Sequence, residues 1–394
     1  SYLTGPAVPG KEKQEAAPVP GGSTPSLPWT VRVGSVVLDD NRAEYGLLNH
    51  RPAAGFDPSF IVLSTLDLAV DSIYNRGADI ALQIRRMAFT ERSGLTVSDM
   101  TGDIGMDASG ISLAGVTLKT PFSRIEANIS AGEGILALAP DSPLKADLMA
   151  DVNTKDLKYL YPALIPPVLD GRIVSLALTA AGTLGDIGKA GLDISSPGHV
   201  AFTADGAARN VLDPGRMEAS ARFEGDFRDM AFLEALLPDS ALRRRIAIPD
   251  RIRLRGTAGA DKGAFSAAST LSTDGGEIAL QGRLDTRSEA YGIELRCDSF
   301  PLNSFLPADS LGLLDLALQA GGSGFDPLRA QTRGNIRLQV DRAEFRGRDF
   351  GGVKLNANLE GGQLSGRLSD RDEALRLLLL ISGTLTERKQ EVRL

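Results

Sequence analysis

Ile336-Arg337-Leu338-Gln339-Val340-Asp341 decides the fold. In an extended chain Ile336, Leu338 and Val340 share one face, and Arg337, Gln339 and Asp341 share the other. A period of two with one polar face is the mark of a half-buried strand. The same alternation runs through Trp29 to Val36, Ile80 to Arg85 and Val353 to Leu359. Gly, Asp, Asn and Ser separate these short runs, and the pattern persists from Trp29 almost to the last residue. The chain reads as all-β.

Composition agrees. Gly is abundant, at 43 of 394 residues, and aromatics make up only 5%, which suits many tight turns over modest side-chain cores. The net charge of −7 argues against nucleic acid, whose phosphates call for a basic footprint. Arg243, Arg244 and Arg245 form the densest basic run and read as a solvated helix end. No apolar stretch reaches the roughly 18–20 residues of a membrane helix. The longest, Leu375 to Ile381, is interrupted by Arg376.

Residues 1–28 hold six prolines and read as a linker. They carry neither an initiator Met nor a basic-then-apolar leader. The expectation is an internal segment of a longer protein, with any anchor or signal outside it. Residues 29–155 form the first part of the β-structure, and 156–394 divide into three units of about 70 residues.

Three short breaks define those units. Leu157 to Pro166, Phe232 to Pro238 and Phe300 to Pro307 have apolar residues at helical spacing and end in Leu-Ile-Pro, Leu-Leu-Pro and Phe-Leu-Pro. Their final prolines lie 72 and 69 residues apart. Asp156, Asp229 and Asp298 precede them and are expected as helix N-caps. An alternating strand follows each break: Ile173 to Gly182, Ile252 to Gly259 and Leu314 to Gly321.

No catalytic or metal constellation emerges. His50 and His199 each stand alone beside turn residues and read as solvated loop histidines. Cys297 shares a face with Ile293 and Leu295 and reads as a buried thiol. Gly321-Gly-Ser-Gly324 lacks the last Gly of a nucleophile elbow, and Gly182, Gly185, Gly188 and Gly191 do not have phosphate-loop spacing. Asp370, Asp372 and Glu373 read as a charged hairpin tip rather than paired catalytic carboxylates. Asn128-Ile-Ser130 fits a glycosylation acceptor, a pattern too common to weigh. The expectation is a non-enzyme without a cofactor or metal.

Taken together, Asp156 to Gly182, Asp229 to Gly259, Asp298 to Gly321, Ser93 to Gly102 and Gly110 to Ser123 resemble the TamB and AsmA-like family of bacterial envelope proteins, in its Bacteroidetes-type form. The resemblance covers residues 29–394. It implies an elongated, curled, antiparallel-rich β-trough with short amphipathic helices between repeats. It further implies a periplasm-spanning protein, anchored in the inner membrane by a segment outside this one. Such a trough carries phospholipid acyl chains between the membranes, and an outer-membrane barrel protein of the Omp85 or TamA type is the implied partner.

On this expectation the apolar wall of the trough includes Ile278, Leu280 and Leu284, then Ile293 and Leu295. It continues through Ile336, Leu338 and Val340 to Val353, Leu355 and Leu359. Burial of each CH₂ against such a wall contributes about 0.8 kcal/mol without directional contacts. Each of these residues is equally readable as ordinary core. Three alternatives stand beside the lipid conduit. One is an assembly platform that pairs nascent barrel strands along exposed sheet edges. The others are an inert β-solenoid stalk and, last, an enzyme built on a β-helix.

Overall fold

A computed structural model describes residues 29–47, 50–53, 55–133, 139–161, 166–237, 240–371, 376–386 and 390–393. The linker expected over residues 1–28 therefore lies outside the described residues, as do Pro238, Asp372 and Glu373.

One antiparallel sheet dominates the chain. Its first strands are β1 (Thr30–Gly46), β2 (Phe60–Arg76), β3 (Asp79–Glu91), β4 (Thr96–Asp107), β5 (Gly110–Lys119), β6 (Arg124–Gly132) and β7 (Pro143–Asn153). Next come β8 (Ile173–Thr183), β9 (Ile187–Ser196), β10 (Val200–Arg209), β11 (Glu218–Arg228), β12 (Arg251–Asp261), β13 (Ala264–Ser272), β14 (Glu277–Asp285) and β15 (Ala290–Pro301). The last are β16 (Leu311–Ser323), β17 (Arg333–Phe345), β18 (Arg348–Phe350), β19 (Val353–Glu360), β20 (Gln363–Arg371), β21 (Arg376–Leu385) and β22 (Gln390–Arg393).

Each strand pairs with its neighbour in the chain, β18 being a short arm beside the end of β17, which pairs onward with β19. Among the described residues nothing joins β1 to β22, so the sheet stays open as a curled trough. At about 4.8 Å per strand its contour is on the order of 100 Å.

Curvature is not uniform. Every ladder from β1–β2 to β5–β6 carries a register shift. The ladders from β10–β11 to β14–β15 carry none. Each bulge bends its strand and adds twist, so the first seven strands draw together at one rim. Phe56, in the connection after β1, donates its backbone N–H to Leu160 beyond β7 at 3.2 Å. Gly94 in the β3–β4 turn has φ 98°, and a Cβ there would lie 3.0 Å from the Tyr159 ring. Only glycine satisfies both conditions.

The three sequence breaks sit after β7, β11 and β15, strands that run in the same direction, so all lie at that same rim. The first is α1 (Thr154–Leu160) followed by a 3₁₀ turn at Pro167–Leu169. The second is a 3₁₀ segment at Met230–Leu236 followed by α2 (Ser240–Arg245). The third consists of 3₁₀ turns at Leu302–Ser304 and Pro307–Asp309.

The expected caps are corrected. Asn153, not Asp156, caps α1: its side chain accepts from the Lys155 N–H at 3.0 Å. Asp156 lies buried in the first turn and takes the hydroxyls of Thr120, at 2.6 Å, and Ser123. Asp229 has φ 49°, outside the extended conformation a cap needs, and makes no capping bond. Asp298 remains in β15, opposite Glu277.

The insertions touch in sequence along the rim. Arg172 lies over the Phe232 ring at 3.5 Å. Arg245 forks onto both carboxylate oxygens of Asp309 at 3.0 and 3.1 Å, and Ala247 N–H reaches the Phe305 carbonyl at 2.8 Å. The basic run at 243–245 is thus not simply a solvated helix end, because Arg245 ties two insertions together.

Both histidines are also engaged. His50 Nε2 lies 2.7 Å from buried Asp57, and His199 Nδ1 lies 3.2 Å from the Arg228 carbonyl with its ring edge-on to Phe232. Asp370 is buried on the apolar side of β20 rather than exposed at a hairpin tip.

Candidate functional site

Residues directly opposite each other in an antiparallel pair share a face of the sheet. Following these pairs from strand to strand shows which side chains form continuous rows. Leu280 faces Leu295, Leu295 faces Leu318, Leu318 faces Leu338 and Leu338 faces Leu355. The row runs on through Leu368 to Leu379. In the other direction it passes Ser269, Gly256 and Phe223, then Ala204, Leu192 and Leu178.

A second row lies one step nearer the insertions. Ile278 faces Cys297, then Leu316, Val340 and Val353 follow. Backwards it passes Leu271, Leu254, Gly225 and Phe202. It continues through Ile194, Leu176, Ala150 and Ile125, and through Leu118, Met100 and Met87 to Leu68.

Two further rows flank the opposite rim. Ile293 connects through Ala320 to Ile336, and Leu284 faces Tyr291. Leu359 lies between Gly334 and Leu364. All eleven residues singled out in the sequence therefore belong to four lengthwise rows on one face.

Exposure along those rows changes across the trough. Within β15, Cys297 is 6% exposed and Ile293 41%. Cys297 sits near the insertions, where Phe300, 4% exposed, stacks on Phe305 at 5.1 Å. Ile336 at 43% and Leu284 at 37% lie toward the rim of tight turns. The insertions thus cover one side of the apolar face and leave the other accessible. Among the described residues Ser142 alone falls below 2% exposure, as expected for a single layer without a sealed core.

The reverse face is polar and laced with ion pairs. Asp226 receives Arg228 at 2.8 Å and Arg251 at 2.6 Å. The Arg228 contact first, and Arg251 after it, hold its carboxyl well below the usual carboxylate range. Cys297, on the apolar face, has its thiol pushed up by burial and further by the Asp315 carboxylate, which makes it unreactive.

The period-two reading includes β12 and β14 but names no apolar-face residue in β10, β11 or β13, where much of that face is built from small residues. Gly206 faces Ala221, which faces Ala258, and Ala267 and Gly282 follow. Aromatic rings lie over some of these glycines: a Cβ on Gly225 would meet Phe227 at 2.6 Å and Phe202 at 3.2 Å. A Gly followed two residues later by an aromatic residue, as at Gly225 and Phe227, was the only available signal.

No protein-family model matches this chain, and neither a curated protein nor a solved structure does.

Proposed function

We propose that this chain is a stretch of a periplasm-spanning scaffold of the TamB and AsmA-like kind. Its trough binds phospholipid acyl chains and conducts them between the inner and outer membranes, in support of outer-membrane biogenesis. The supporting observation is the apolar rows, in which Leu280 to Leu379 follow one another across the strands without a polar residue, roofed along one rim and accessible along the other.

An acyl chain needs only continuous apolar surface, since each buried CH₂ contributes about 0.8 kcal/mol regardless of its orientation. A headgroup remains hydrated at the open rim. The same rows provide equivalent positions from strand to strand, so a lipid can move along them without crossing a deep well. The inner-membrane anchor and the outer-membrane barrel partner of the Omp85 or TamA type rest on the family resemblance and belong to the same proposal.

Organic extraction of the purified chain followed by mass spectrometry tests this reading. Copurifying phospholipid is the expected result, together with transfer of labelled phospholipid between donor and acceptor vesicles. A chain that carries no lipid and transfers none overturns it.

A further inference from the structure

The polar face of the sheet is itself hollowed. Between β12 and β17 a depression of about 950 Å³ opens on the side away from the trough. Gln281 and Arg283 of β14, Glu294 of β15, Gln319 of β16 and Asn335 of β17 line it. Their apolar neighbours Leu280, Leu295, Leu318 and Ile336 belong to the trough rows on the other face.

Two glycines form its floor. Arg283, Gly292, Gly321 and Asn335 stand opposite one another in four successive strands. The Arg283 side chain lies over Gly292, where a Cβ would come within 2.8 Å of its Nε. From the far side Asn335 leans in, its Oδ1 lying 3.7 Å from the Cβ position of Gly321. One row away Gln281, Glu294 and Gln319 face one another and make a polar wall.

These polar groups are not used by the fold. Among the described residues Gln281, Arg283, Glu294, Gln319 and Asn335 make no side-chain hydrogen bond or ion pair, and all five are exposed. Elsewhere the same face neutralises its charges, as where Arg228 and Arg251 close on Asp226.

The lining selects a chemistry. Three amides, a carboxylate and a guanidinium each present two hydrogen-bonding atoms side by side. Adjacent hydroxyls, which both donate and accept, match that set. Around the depression Arg283 and Arg337 are offset by Asp261, Asp285 and Glu294, so a strongly ionic ligand of either sign meets its own charge. The glycine floor is flat enough to take the C–H face of a sugar ring. A second depression of about 560 Å³ shares Gly321 and Asn335 with the first and runs on over Asn358 and Ser365. The strands lie about 4.8 Å apart, close to the rise of one β-linked pyranose unit, so successive strands meet successive sugars.

We propose that this face binds an uncharged, β-linked oligosaccharide lying across β14 to β20. Glu294 and Gln319 bond its vicinal hydroxyls, and Arg283 and Asn335 hold it from either side of the glycine floor. The site lies on the opposite face from the trough and does not depend on what the trough carries.

Fluorescein-labelled cellopentaose and N-acetylchitopentaose, each mixed with the whole chain, test the proposal by fluorescence anisotropy. Saturable binding of at least one is expected. Glu294→Ala/Gln319→Ala should weaken it about tenfold or more. Glu224→Ala, on the same face of β11 but outside the depression, should leave it unchanged. The substituted side chains are exposed, so the circular dichroism of both variants should match the parent. Three results overturn the proposal: neither sugar binds, the double variant binds as well as the parent, or labelled pentaglutamate binds more tightly than both sugars. The last would assign the arginines of this face to an acidic peptide.

Discussion

Leu338 of β17 lies directly opposite Leu355 of β19 and, on its other side, directly opposite Leu318 of β16. Three leucines in line across three strands form a section of trough wall with no polar interruption. A charge at the middle position would face apolar neighbours on both sides and any lipid lying over them.

Leu338→Asp is therefore expected to cut lipid carriage. A Leu side chain contributes about 1.5–3 kcal/mol of apolar contact, so bound phospholipid should fall about 10-fold or more. Leu338 is only half-buried, and the aspartate can reach water, so the sheet should persist. Mass spectrometry of extracted lipid, with far-UV circular dichroism as the check on folding, distinguishes the two effects. Arg337→Asp, on the opposite face of the same strand, should leave the lipid content unchanged.

Acid should release the connection between β1 and β2. Asp57 accepts the backbone N–H groups of Ala53 at 2.8 Å and Ser59 at 2.9 Å, and His50 Nε2 lies 2.7 Å away. The Ala53 N–H first, and His50 after it, lower its pKa to about 2, against about 3.9 for a free aspartate. The folded carboxyl is the stronger acid, so this contribution to stability is complete above about pH 4 and disappears as the pH falls through about 2. Amide-exchange protection at Ala53 and Ser59 should drop over that interval. In Asp57→Asn it should already be low at neutral pH and show no such step.

The thiol of Cys297 should be inert in the native state. It is 6% exposed, between Ile278 and Leu316, and burial raises its pKa. A disulfide reagent such as dithionitrobenzoate should label it slowly at pH 8 and rapidly once urea opens the sheet. Rapid labelling of the folded chain would mean that the roofed side of the trough is open to solvent.

How far the sequence disclosed this arrangement depended on side-chain size. The alternation of Ile336, Leu338 and Val340 with charged residues announces both strand and face, because large apolar residues at period two allow no other reading. In β12 and β13 the inward positions include Gly256, Ala258, Ala260 and Ala267, whose small side chains do not contrast with the polar side. The caps failed for a different reason: Asp156 is drawn to the hydroxyls of Thr120 and Ser123 on a neighbouring hairpin, a long-range contact that local spacing does not encode. Curvature was invisible as well, because bulges such as that between Leu113 and Val116 in β5 arise from pairing with a neighbouring strand.

Inward-facing glycines are not interchangeable, and two of them make a paired test. Gly256 lies opposite Phe223. A Cβ there would come within 2.6 Å of the Phe223 ring and 2.4 Å of the Ala268 carbonyl. The backbone contact cannot be relieved by rotating a side chain, so Gly256→Ala must shift the β12–β13 ladder or tilt the ring, at a cost of about 1–3 kcal/mol. Gly282, on the same face of β14, has nothing within 4 Å of its Cβ position, and alanine there restricts the unfolded chain without a clash. Gly282→Ala should be neutral or stabilising by up to about 1 kcal/mol. Urea denaturation of the two variants, with amide exchange localising the change, reads this difference. Equal destabilisation would show that the ring of Phe223 does not rest on Gly256, and that the floor of the trough at β11–β12 is built differently.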